Sequence, residues 1–256
     1  MDLQRRLVFL EIVDLSLTGI LESLATKAWS KPCHDSAGSF LLSPLGLATD
    51  SSPDGLWQAL RRIYEHARSW APGLDVPWFV PPVRIIELKL SAGHFAIDEE
   101  SYASIAVSSE FLRSIDATCL ILAHEACHHI LLQSGISYQY KSDVIFSERL
   151  TDLTMFVCGF GEVVRRGHSI VSRSRGQYVS THLGYLRSDE YEAAYRYVLA
   201  KRAADHLPGA PERISVFAKI RKQFSRLATP SRGTTPGSRL LEKVIKETER
   251  KRRRQD

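Results

Sequence analysis

Between residues 2 and 27, apolar side chains recur every three or four positions, at Leu3, Leu7, Leu10, Val13, Leu17, Ile20, Leu21 and Leu24. That period predicts a helix with one apolar face, ended before Pro32. Residues 31–55 lose the period and fill with Ser, Gly, Pro and Asp, the composition of a loop. A second, shorter helix is predicted over 54–70, capped by Ser or Asp and stopped at Pro72. Pro77, Pro81 and Pro82 then stiffen the connection into a different pattern.

Over residues 83–111, β-branched and alternating positions predict strands at 84–90, 94–97 and 105–108, with Asp98, Glu99 and Glu100 in the turn between the last two. The helical period returns near Asp116 and runs to Gln133, where Gly135 offers a C-terminal stop. Two further helices are expected at 147–158 and 188–203, and no internal repeat is present. The pattern is that of an α+β fold with three parts: an N-terminal helical region over 1–80, a mostly helical core over 81–205 whose small β-sheet precedes its central helix, and a tail over 206–256.

Composition changes this picture little, and charge changes it more. The 256 residues are 44% hydrophobic and 25% charged, as in an ordinary globular protein, which excludes a wholly disordered chain and a disulfide-stapled miniprotein. Net charge is +5, but residues 212–256 hold 14 Lys and Arg against 5 Asp and Glu, a net of +9. Residues 1–211 therefore carry 20 against 24, a net of −4. The basic excess belongs to a tail in which TPSRGTTPGS has the content of a linker, and Phe217 and Phe224 are the only aromatic residues available for base stacking. A solvated or partner-docking tail is expected, with weak, salt-sensitive contact to nucleic acid or an acidic partner as the alternative and a membrane-surface role as the third reading.

The four cysteines, Cys33, Cys119, Cys127 and Cys158, are single and form no CxxC pair, which argues against a cysteine zinc site and a secreted disulfide framework. The N-terminal apolar run is interrupted by Glu11 and Asp14, unlike a signal peptide, and nowhere are there 18 consecutive apolar residues. A cytoplasmic protein without a transmembrane segment is the expectation.

The candidate chemistry lies in LILAHEACHHILL, where His124, Glu125 and His128 spell HExxH inside the central helix. Residues four apart stack one turn above each other, so both imidazoles can reach one metal ion while Glu125, about 100° around the helix, faces its open side. Zinc suits two neutral imidazoles, a third protein ligand and a water. By average residue usage a chain of this length shows HExxH by accident roughly 1% of the time, so a second feature is needed. Glu148 supplies it. Nineteen residues separate it from His128, and it opens ERLTD at helical spacing in an otherwise apolar segment, where Asp152 can bond the outer nitrogen of a ligand imidazole. Asp143, Asp152 and Glu162 are the acidic alternatives to Glu148 as third ligand.

Over about residues 105–160 the sequence resembles the gluzincin metallopeptidases, the thermolysin-like group, whose pattern is HExxH, a spacer of this length, then ExxxD. The resemblance implies a zincin-like core with zinc bound by His124, His128 and Glu148 and with Glu125 as general base. It also implies an edge strand above the cleft that pairs with an extended peptide, for which 105–108 is the nearest segment, and a Tyr or His downstream to stabilise the oxyanion. Tyr178, His182 and Tyr185 are the choices, with His182 and Tyr185 preferred. Tyr191, Tyr195 and Val198 fall at core-packing spacing, His129 reads as supporting or solvent-facing, Cys127 as a packed thiol and His168 as a loop residue. The expected function is hydrolysis of peptide or protein substrates. A non-enzymatic zinc-containing regulator using its basic tail is the second reading, and a metal hydrolase acting on another bond the third.

Overall fold

The computed structural model describes residues 17–31, 50–89, 91–136, 144–174 and 177–205. Its elements run α1 (Leu17–Ala28), α2 (Pro53–Trp70), β1 (Val83–Ile86), β2 (Gly93–Ile97), β3 (Ala103–Ser108), a 3-10 turn (Ser109–Arg113), α3 (Ile115–Gln133), α4 (Val144–Val157), α5 (Gly161–Gly167), β4 (Ser169–Ser174), β5 (Gln177–His182) and α6 (Ser188–Asp205). The fold is α+β, with the small sheet ahead of the central helix, as the hydrophobic pattern predicts.

Local chemistry fixes the start of α2 and both ends of α3. Ser52 caps α2, its hydroxyl accepting from Gly55 N–H at 3.1 Å, with Pro53 in the first turn where a missing N–H costs nothing. Ser114 caps α3 in the same way through Ala117 N–H. The α3 C-terminus closes on Gly135, whose φ of 71° is the left-handed conformation that such a stop requires. Gly135 N–H bonds Leu132 O and Ile136 N–H bonds Leu131 O, satisfying two carbonyls that the helix leaves open. The predicted first helix is seen only from Leu17, because residues 1–16 lie outside the described residues, as do most of the Ser-rich loop and the whole tail from 206. Two elements were not expected: the seven-residue α5 and the β4–β5 hairpin.

The three-stranded sheet has the order β1-β3-β2, β1 parallel and β2 antiparallel to β3. This corrects the expectation for 105–108. Those residues lie in β3, the central strand, paired on both sides, so they cannot take a peptide; the edge above α3 is β2. Ser108 N–H bonds Ala92 O at 2.8 Å and Asp98 N–H bonds Tyr102 O at 3.1 Å. Even-numbered residues of β2 therefore bond to β3, and Gly93, Phe95 and Ile97 turn their backbone groups outward. Among the described residues nothing pairs with that edge. Asp98 holds the turn as predicted, accepting from Glu100 N–H and Tyr102 N–H.

One hydrophobic cluster runs from α1 and α2 through β3 and α3 into α4, α5 and α6. Helix α3 passes through its middle, with Ala117, Cys119, Leu122, Ala123, Ala126, Cys127 and Ile130 fully buried. Among the described residues it is the one helix long and apolar enough to cross a bilayer, and 72% of that window is buried in the core. Cys119, Cys127 and Cys158 are buried free thiols, and Cys127 on α3 is hydrogen-bonded with Cys158 at the end of α4.

Candidate metal centre

Helix α3 is buried on nearly all sides, so any polar side chain in it must find partners. His124 and His128, one turn apart, emerge where α4 crosses α3, and Glu148 in the second turn of α4 comes between them. His124 Nε2 to Glu148 Oε2 is 3.0 Å, His128 Nε2 to Glu148 Oε2 is 3.2 Å, and the two Nε2 atoms are 3.1 Å apart. Four ligands at 2.0–2.1 Å in a tetrahedron lie about 3.3 Å from one another. The three atoms thus form a triangle close to one face of a zinc coordination shell, and these residues could hold a metal ion.

The outer nitrogens are also held. His124 Nδ1 faces Asp152 Oδ1 at 3.0 Å, as the ExxxD spacing predicts. His128 Nδ1 lies 3.2 Å from the Thr151 hydroxyl, which gives its own proton to Ser147 O and so accepts from the ring. With its proton held on Nδ1, each imidazole would turn the Nε2 lone pair to a cation at the shared point. Of the alternative acids, Asp152 is used from behind, Glu162 bonds Arg165 and the Tyr195 hydroxyl, and Asp143 lies outside the described residues.

Glu125 is 6% exposed and turns toward β2. Gly93 lies directly against it: a methyl group there would fall 2.6 Å from Glu125 Oε1 and 2.5 Å from Ile121 Cγ2. Burial raises the Glu125 carboxyl above its ordinary value, opposed by His124, His128 and His94. Burial also works to raise Glu148, but hydrogen bonds from both imidazoles outweigh it and hold this carboxyl well below the usual range. For His124 burial is outweighed in turn by Asp152 and Glu148, and the imidazole is held well above its usual value.

Tyr185 lies beside the triad, its ring 6.1 Å from that of His124 at 26°, and its N–H donates to Asp152 Oδ2 at 2.6 Å. Burial, with Glu148 and Asp152 nearby, pushes its hydroxyl above the ordinary range, so it stays protonated. His182 is not brought to the triad by any described contact; it is exposed at the end of β5, 6.5 Å from the His168 ring. Tyr178 falls in β5. His168 ends α5, its Nδ1 on Val164 O.

Three contacts have no signal in the sequence. His129 is not solvent-facing: it is buried, its Nδ1 2.9 Å from the Tyr64 hydroxyl of α2 and its ring stacked on Phe95 of β2, and burial lowers it to about 4. Tyr191 packs in the core as its spacing predicts, yet its hydroxyl also donates to Asp152 Oδ2 at 3.0 Å. Thr151 is the third. Each joins residues far apart in the chain, which local patterns cannot register. Comparison with protein families, curated proteins and solved structures gives no match to this chain.

Proposed function

We propose that this chain is a zinc-dependent metallopeptidase of gluzincin type. The observation that carries the reading is the triangle of His124 Nε2, His128 Nε2 and Glu148 Oε2 with a buried carboxylate, Glu125, one residue along the same helix. Two imidazole nitrogens and one carboxylate oxygen are the donor set of hydrolytic zinc sites. A bound zinc would supply Lewis acidity and a water acidified to a pKa of about 7.

The chain's own residues do the rest. Glu125, its carboxyl raised by burial, accepts the proton of the attacking water and delivers it to the departing amine nitrogen. Tyr185, kept protonated beside His124, donates to the carbonyl oxygen as negative charge develops there. The outward N–H and C=O groups of Gly93, Phe95 and Ile97 pair with an extended substrate backbone, giving affinity with little side-chain selectivity.

Purified protein is expected to hold one zinc per chain and to cleave members of a peptide library. Glu125→Gln should keep the zinc and lose about 10²- to 10⁴-fold in rate. Protein without stoichiometric zinc, or a Glu125→Gln variant as active as the wild type, would sink the proposal.

A further inference from the structure

We propose that Tyr191 is a positioning residue for His124, acting through Asp152, and that the turn at Gly184 ties this contact to the placement of Tyr185. The inference rests on the peptidase reading in taking His124 as a metal ligand.

Asp152 is wholly buried, and its two oxygens do different work. Oδ1 faces His124 Nδ1 at 3.0 Å. Oδ2 accepts three bonds, from Tyr185 N–H at 2.6 Å, Leu186 N–H at 3.1 Å and the Tyr191 hydroxyl at 3.0 Å. A carboxylate oxygen offers about two lone-pair sites, so three donors saturate it and fix the plane of the group. The Tyr191 ring is itself fixed, 6.0 Å from Phe156 and 5.2 Å from His168, and its hydroxyl has Leu183 O as a more distant acceptor at 3.3 Å. Where that hydroxyl stands therefore sets where Oδ2 stands, and through Oδ1 the tilt of the His124 ring.

The turn must approach closely for this to work. Gly184 has φ 92°, and a methyl group on it would fall 1.8 Å from the Tyr191 hydroxyl oxygen and 3.0 Å from Asp152 Oδ2. Only a residue without a side chain lets the next two amides close on the carboxylate. Tyr185 is the first of them, and its ring consequently lies against His124. One oxygen atom thus aligns a metal ligand and the phenol beside it.

The test uses the full chain, stripped of metal and reloaded. Zinc affinity is read by competition with a chromophoric chelator, and Co2+ is substituted so that its visible absorption reports ligand geometry. Tyr191→Phe is expected to fold, to bind zinc about 3- to 10-fold more weakly, less than the 10- to 100-fold that a direct partner of a ligand is worth, and to shift the Co2+ band. Gly184→Ala should change both readouts in the same direction, and decides alone if Tyr191→Phe does not fold. Wild-type affinity and an unchanged Co2+ band in the variants would overturn the inference while leaving the zinc reading intact. Failure of the wild type itself to take up zinc would instead overturn the peptidase reading, and this inference with it.

Discussion

Thr151 shows what a single hydroxyl can settle. Its proton is spent on Ser147 O at 2.9 Å, so its oxygen is left to accept from His128 Nδ1. A neutral imidazole has one proton to place, and placing it there frees Nε2 for a cation. Thr151→Val keeps the shape and removes the acceptor. It should bind zinc about 10-fold more weakly in chelator competition while the metal-free protein melts near the wild-type temperature; unchanged affinity would mean that the hydroxyl does not orient the ring. His124, Glu125 and His128 are legible in the sequence because one helix fixes their relation. Glu148 and Asp152 become legible once their spacing is set beside that motif. Thr151 and Tyr191 are not, since a threonine on an apolar helix and a tyrosine at core spacing look the same whether or not an imidazole or a carboxylate from elsewhere meets them.

Among the elements, β2 packs against α3, and Gly93 lies where the strand comes closest to Glu125. Adding one methyl group there must push either the strand edge or the Glu125 carboxylate away, because neither Ile121 nor the helix backbone can yield far in a packed interior. Gly93→Ala is accordingly expected to lower the turnover number at least 10-fold, the scale of a misplaced base, with zinc content unchanged. Wild-type turnover would show that the close approach has no catalytic weight. The start of α2 and the end of α3 are legible in the sequence because Ser52 and Gly135 act on their own neighbours, whereas the helical period alone does not single out Ser114 as the cap of α3. Strand order could not: 105–108 stands closest to α3 in sequence, but pairing on both sides makes it central. Helix α5, two turns between Gly161 and Gly167, is too short to show a period, and the β4–β5 hairpin gives no strand signal because SIVSRS and QYVSTH set apolar residues side by side instead of alternating them.

Across the molecule, the triad joins two helices that meet in the large hydrophobic cluster of the described residues. An ion held by His124 and His128 of α3 and Glu148 of α4 binds the folded arrangement and not the unfolded chain, so it stabilises the fold by mass action. With free zinc at about 100 times its dissociation constant the gain is about 2.7 kcal/mol, which for a chain of this size raises the melting temperature by about 5–10 °C. Calorimetry with and without a chelator measures it, and coincident melts would show that zinc does not bridge the two helices. The core was legible at this scale through the apolar periods of its helices, whereas the basic tail, plain in the charge count, lies outside the described residues.

The contact between Cys127 and Cys158 gives that bridge a built-in stopwatch. Both thiols are buried, and burial keeps Cys127 in its unreactive protonated form. A small alkylating reagent can reach them only when the packing around α3 and α4 opens, so the rate at which Cys127 and Cys158 themselves are labelled, read by peptide mass spectrometry, counts those openings. Zinc should slow the clock, and a chelator should restart it, without any substrate being known.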